Sequence, residues 1–214
     1  IIKKIILDDY SKHVKNFINT KKIKKLKVAV DAGNGMAGKI IPIVFKGLPI
    51  EIVPLYFGLD GNFPNHPADP SKPENLEDLR KIVAKEKCSF GMAFDGDADR
   101  IGVVDNTGKM IYGDELMTIF ARSVLQTQKG AKIVGDVKCS DRMFAFIKKH
   151  GGEPIMWKTG HSLIKNKVKE TKSPFGGEMS GHVFYADRNF GYDDALYAGL
   201  RVIEILAKTG KTIS

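Results

Sequence analysis

Three aspartates at alternating positions, Asp95, Asp97 and Asp99, follow the apolar run Phe90-Gly91-Met92-Ala93-Phe94 and are closed by Arg100. Two unit charges about 4 Å apart repel by roughly 4 kcal/mol at an effective dielectric of about 20, so such carboxylates need a cation, a proton or wide separation. Oxygen-only ligands favour Mg2+ or Ca2+ over zinc. A calcium EF-hand fits poorly: it wants glycine where Arg100 stands, glutamate where Asn106 stands, and helices where this loop has strands. The plainer reading, a solvated acidic turn with Arg100 as internal counterion, stands beside the metal reading.

Four further segments carry chemistry-bearing residues. Gly33-Asn34-Gly35-Met36-Ala37-Gly38 matches the glycine spacing of a dinucleotide site. Its downstream acid, Glu51, falls at the start of the next strand and not its end, so a tight turn of small residues is the better reading. Lys138, in Val137-Lys138-Cys139-Ser140, and His161, in Thr159-Gly160-His161-Ser162, each follow a strand and open a helix, where cations and free N–H groups can face an anion. Gly177-Glu178-Met179-Ser180-Gly181-His182 sets a carboxylate, a hydroxyl and an imidazole between glycines, a set suited to sugar hydroxyls.

The elements that must position these residues alternate. A lead helix over 8–19 buries Tyr10, Val14, Phe17 and Ile18; strands follow at 27–31, 50–57, 90–94 and 101–104, with helices at 39–45 and 74–85 between them. Pro42 should interrupt the first of these helices early. A hairpin turn at Asn106-Thr107-Gly108 leads to 109–112. The pattern then restarts: helix 114–126, strand 133–137, helix 141–150, strand 155–158, helix 163–170, strand and loop 175–185, and a last helix 194–208 with Leu196, Leu200, Ile203 and Leu206 inward. The expected fold class is therefore α/β: two similar small α/β domains, 1–107 and 108–214, with mixed, largely parallel sheets sandwiched by helices. Asp31 echoes Asp136, and Asp95-Gly96-Asp97 echoes Glu178-Met179-Ser180.

Composition is compatible with this. The chain has 214 residues, 43% of them apolar, enough for a substantial core and too many for disorder, and it has no run of about 20 apolar residues that could span a membrane. Cys88 and Cys139 are its only cysteines, which removes a disulfide framework and points to a reducing, cytoplasmic setting. The opening Ile1-Ile2-Lys3-Lys4-Ile5-Ile6-Leu7 lacks a small-residue cleavage site, and a start at Ile suggests a piece of something longer. The net charge of +9 sits mostly in residues 1–27, with nine lysines against Asp8 and Asp9, so a solvated face is expected there and not a nucleic-acid footprint.

Taken in order, Val30 to Gly38, Asp95 to Arg100, Lys138, Gly160-His161-Ser162 and Gly177 to His182 resemble the α-D-phosphohexomutase superfamily, most closely its bacterial phosphomannomutase/phosphoglucomutase branch. The resemblance covers essentially the whole chain. It implies reversible conversion of hexose 6-phosphate to hexose 1-phosphate through a phosphoserine and a 1,6-bisphosphate. It also implies Mg2+ on Asp95, Asp97 and Asp99, sugar-hydroxyl reading by Glu178 and Ser180, active-site polar roles for Arg100, Lys138 and His161 near the phosphosugar, and proton transfer assisted by His182. Met179 matches the mannose/glucose branch, so mannose or glucose phosphates are the implied substrates.

The departures define a fragment. None of the nine serines precedes His-Asn and no Arg-x-Ser-Gly-Thr stretch occurs. The match is thus to domains 2 and 3, with domains 1 and 4 as missing partners and no phosphoryl transfer expected from this chain alone. Two alternatives stay open here. One is a haloacid-dehalogenase-type phosphatase with Asp95 as a Mg2+-assisted nucleophile, which expects Thr or Ser at position 99 and a late acidic pair unlike Asp193-Asp194. The other is a non-catalytic phosphosugar or nucleic-acid binding module.

Overall fold

Short apolar runs rich in β-branched and aromatic residues build two sheets of related topology. The computed structural model describes residues 6–214; Ile1 to Ile5, and with them most of the stretch considered as a leader, lie outside the described residues. The first sheet contains β1 (Leu26–Asp31), β2 (Ile50–Leu55), β3 (Phe90–Phe94), β4 (Ile101–Val104) and β5 (Met110–Ile111), in the order β2-β1-β3-β4-β5. The second contains β6 (Lys132–Asp136), β7 (Glu153–Trp157), β8 (Phe175–Gly177) and β9 (Val183–Tyr185), in the order β7-β6-β8-β9. In both, the first strand runs parallel to its two neighbours and the outer hairpin strand is antiparallel.

The expected echo is therefore structural: β1 corresponds to β6 and β3 to β8, which brings Asp31 and Asp136 to equivalent strand ends and sets Asp95 and Glu178 just beyond equivalent strands. The hairpin carries β5 into the first sheet, past the expected division at 107/108, and the chain leaves that sheet at Tyr112.

Among the described residues seven helices cover the sheets: α1 (Leu7–Asn16), α2 (Ala37–Val44), α3 (Glu77–Lys85), α4 (Gly113–Leu125), α5 (Asp141–Lys149), α6 (His161–Thr171) and α7 (Ala195–Thr209). Three differ from the pattern read above. The lead helix stops at Asn16, and Ile18 and Ile23 reach the core around a 3-10 turn at Thr20–Lys22. The 74–85 helix is split into a 3-10 turn, Pro73–Leu76, and α3. Pro42 lies inside α2 without ending it, since in a helix of eight residues it removes a single N–H donor.

Outer faces are sealed by α3, with Leu79 and Val83 over Ala29 and Ala93, and by α6, with Ile164 and Val168 over Val134 and Phe184. The inner faces share one core, in which Val30, Met92 and Phe94 of the first sheet join Phe120, Ile133, Phe175 and Tyr185 of the second half. Helix α7 makes that continuity possible. It touches β4, β9 and α4, and a Cβ on Gly199 would stand 2.8 Å from Met92 Sδ. Each large apolar side chain so buried contributes about 1.5–3 kcal/mol. With one core, the two strand-end loops described next are held in fixed register with each other.

Candidate active site

The Asp95 loop is a backbone-defined turn. Ala98 takes the left-handed conformation (φ +67°), and the Asp95 carboxylate fills the turn: Oδ1 accepts the Asp99 and Arg100 N–H groups, both at 3.0 Å, and Oδ2 accepts Arg100 Nε–H at 2.7 Å. Arg100 also reaches Asp69 Oδ1 at 3.2 Å. The counterion reading of Arg100 thus holds, with a second acidic partner that the sequence did not announce.

The glycine-rich 33–38 segment supports this loop. Met36 N–H donates to the Gly96 carbonyl at 2.9 Å, and a Cβ on Gly35 would lie 2.7 Å from that oxygen. Backbone is the obstacle, so Gly35→Ala is expected to push the Asp95 loop away and destabilise the fold by about 1–3 kcal/mol, read as a lower urea midpoint.

One oxygen from each of Asp95, Asp97 and Asp99 lies within 4.8 Å of the others. Asp95 is buried, Asp99 half-buried and Asp97 exposed. Burial and the neighbouring Asp95 carboxylate push the Asp99 pKa up to about 6. That crowding of oxygen ligands is what a hard divalent cation relieves, so the donor set fits Mg2+.

The second loop joins β8 to β9 and is bonded to the first. Gly181 (φ +99°) turns the chain, its carbonyl accepts Ile101 N–H at 3.2 Å, and Arg100 and His182 form an antiparallel bridge. His182 Nε2 consequently sits 3.3 Å from Asp99 Oδ1, while its Nδ1 faces Glu178 Oε2 at 2.9 Å and Ser180 Oγ at 3.0 Å. Burial pulls the His182 pKa down, yet the Glu178 and Asp99 carboxylates outweigh it and raise the net value. For Glu178, burial acts upward, but the His182 ring and the Gly160 N–H, donating to Oε1 at 2.6 Å, leave it below the ordinary glutamate range.

His161 is the first residue of α6, two residues before the expected start. Its ring stacks on His182 with centroids 5.7 Å apart, and Nδ1 lies 3.3 Å from Asp193 Oδ2. Lys165 Nζ grips both Asp193 oxygens at 2.9 and 3.1 Å. Asp69 and Lys165 carry no motif in the sequence, and Asp193 reads there only as half of an acidic pair.

Lys138 departs from expectation. It lies in the turn before α5 and does not open the helix, because Ser140 is the cap and accepts Arg142 N–H at 3.1 Å. Its exposed side chain lines a cavity of about 240 Å³ with Pro70, Tyr112, Ser180 and Gly181. The structure thus brings Asp95, Asp97, Asp99, Arg100, His161, Glu178, Ser180 and His182 into one connected cluster, with Lys138 sharing a cavity with Ser180.

Residues 8–108 match the family phosphoglucomutase/phosphomannomutase, alpha/beta/alpha domain II, and residues 112–214 match its domain III. A phosphomannomutase/phosphoglucomutase of Pseudomonas putida is 52% identical over 204 residues, which is 95% of this chain and 44% of that protein. A phosphoglucomutase of Neisseria meningitidis serogroup A is 47% identical over 207 residues, 97% of this chain and 45% of that protein. Among solved structures, a phosphoglucomutase/phosphomannomutase family protein of Burkholderia thailandensis superposes with a TM-score of 0.90 at 48% identity, covering 95% of this chain and 44% of that one. The chain spans under half the length of these relatives.

Proposed function

The chain belongs to the phosphoglucomutase/phosphomannomutase family, and from that premise we propose that it is the metal-binding and sugar-reading centre of a phosphohexomutase that interconverts hexose 6-phosphate and hexose 1-phosphate. The observation that carries this reading is the direct bond between the two loops: His182 Nε2 stands 3.3 Å from Asp99 while its other nitrogen is held by Glu178. A proton-handling imidazole and a hard-cation site are thereby adjacent, as transfer of a phosphoryl group between sugar oxygens requires.

In this reading Asp95, Asp97 and Asp99 hold Mg2+, which when bound supplies charge neutralisation for the phosphoryl group. Arg100 fixes the loop through Asp95 and keeps positive charge beside it. Ser180 Oγ and the Glu178 carboxylate read sugar hydroxyls, His161 and Lys138 contribute polar contacts from either side, and His182 holds a proton at Nε2 for the reacting oxygen. The partners are a mannose or glucose phosphate and the remaining domains of the parent enzyme, corresponding to domains 1 and 4. Residues 1–107 and 108–214 act as domains 2 and 3, save that β5 pairs within the first sheet. The reading assigns no role to nucleic acid or membrane; the described lysines between Lys12 and Lys25 are exposed or half-buried on the lead segment, and among the described residues no helix is long and apolar enough to cross a membrane. A cytoplasmic setting suits the unpaired thiols of Cys88 and Cys139.

The phosphatase alternative is not favoured. Position 99 is an aspartate where that reading expects Thr or Ser, Asp194 is bound to Tyr10 and to the N-terminus of α7, and Asp193 is neutralised by Lys165. A free-standing binding module is not favoured either, since the named relatives are mutases of about twice this length.

Calorimetry on the chain tests the reading. Mg2+ binding that strengthens with added glucose or mannose phosphate is expected, without turnover; tight, salt-sensitive oligonucleotide binding in its place would contradict it.

A further inference from the structure

We propose that His66 is a positioning residue: it ties the 58–73 loop to the end of β1 so that Asp69 can hold Arg100 against the Asp95 loop. Its consequence for Mg2+ rests on the metal reading given above, whereas the contacts themselves do not.

Asp31 ends β1 fully buried. Its Oδ1 accepts Gly33 N–H at 2.8 Å and its Oδ2 faces His66 Nε2 at 3.0 Å. The other ring nitrogen, Nδ1, faces the Pro67 carbonyl at 2.9 Å. Both partners are oxygen acceptors. A neutral imidazole has one N–H and an imidazolium has two, so only the protonated ring satisfies both contacts. The remaining groups facing the ring are Tyr56, packed edge-on at 5.4 Å, and Asp78 of α3, which accepts the Tyr56 hydroxyl at 2.6 Å. In keeping with this, the Asp31 hydrogen bond raises the His66 pKa against the opposing effect of burial, with Pro67 and Asp78 adding to the rise.

Three residues on, Asp69 Oδ1 takes Arg100 at 3.2 Å as well as the Ser71 N–H and hydroxyl at 3.1 and 2.7 Å. Arg100 then grips Asp95 Oδ2 at 2.7 Å. The loop has other side-chain anchors, Asn65 to Asn34 at 2.8 Å, Asn34 to the Gly58 carbonyl at 2.8 Å and Asn75 to the Asp69 carbonyl at 2.9 Å, but these are uncharged. The His66–Asp31 tie is thus the charged root of a chain running from β1 through Asp69 and Arg100 to the first carboxylate of the metal loop. Because the folded-state pKa of His66 is raised, the tie is complete below the ordinary histidine range and is lost as pH rises through the raised value.

The test is solvent exchange of the Arg100 Nε–H, followed by NMR on this chain without metal. His66→Gln, which can donate to Asp31 but cannot span both acceptors, should speed that exchange about tenfold. Asp69→Asn should do the same, and the double variant should add nothing further. Additive effects, or exchange unchanged in His66→Gln, would overturn the proposal. Should His66→Gln fail to fold by circular dichroism, the wild-type pH series decides. Protection of Arg100 Nε–H, relative to an unprotected arginine at the same pH, should fall as the His66 ring titrates, and constant protection through that titration overturns it. Absence of Mg2+ binding in the wild type would instead strike the metal reading alone and leave the exchange result standing.

Discussion

Asp95→Asn is expected to weaken Mg2+ binding by about a hundredfold or more and to destabilise the fold by about 1–3 kcal/mol. The size follows from geometry. Oδ1 accepts two backbone N–H groups and Oδ2 accepts Arg100 Nε–H, so the carboxylate has donors on both sides. An asparagine must turn its NH2 toward one set or the other, and either choice sets donor against donor. The loop would open and the cation site would lose a charge at once. Asp97 is exposed and takes no part in those bonds. Asp97→Asn should therefore weaken Mg2+ without lowering the melting temperature, and titration calorimetry with thermal melts separates the two. Equal behaviour of the two variants would contradict the assigned geometry.

Glu178→Gln is expected to cost about 10²–10³ in kcat/KM once the chain acts within a complete enzyme. Glu178 is 2% exposed and has three partners: Gly160 N–H on Oε1, and the His182 ring with the Ser180 hydroxyl on Oε2. In the glutamine variant the amide NH2 meets either the Gly160 N–H, a donor, or His182 Nδ1, which must then give up its proton. The second arrangement leaves a neutral ring with its one hydrogen at Nε2 and removes the carboxylate charge that favours the imidazolium. His182 should then titrate at lower pH than in the wild type, where neighbouring carboxylates hold its pKa up despite burial. Imidazole NMR reads this directly. A ring that titrates unchanged in Glu178→Gln would show that Glu178 does not govern His182.

The parts legible in the sequence are those whose partners are close along the chain. The Asp95 loop closes on itself within six residues, and the strands before and after it follow the expected bounds. The repeat was visible through Asp31 and Asp136, and more could have been seen. Phe90-Gly91 and Phe175-Gly176 occupy equivalent places on β3 and β8, each glycine passing beneath a helix where a Cβ would strike Val83 or Val168. Partners across large separations were not legible. Arg100 meets Asp69 at 31 residues' distance, and His66 meets Asp31 at 35, through a loop whose proline and glycine content reads only as irregular. Helix α7 was read as one-faced, yet Ala195 to Ile203 are all buried because it lies between both halves. Arg201, buried over the Tyr185 ring at 4.0 Å and paired with Asp187 at 2.8 Å, disguised that in the polarity pattern. Lys138 was placed at a helix start because Ser140, the true cap, stands only two residues further on.

In the proposed function this chain supplies the metal and sugar-reading loops of a phosphohexomutase. That function is tested most directly by exchanging the matched segment of the Pseudomonas putida phosphomannomutase/phosphoglucomutase for this chain and following glucose 1-phosphate by 31P NMR. Conversion to glucose 6-phosphate that depends on Mg2+ and disappears with Asp95→Asn is the predicted result; a folded, phosphorylated chimera that binds Mg2+ and converts nothing would contradict it.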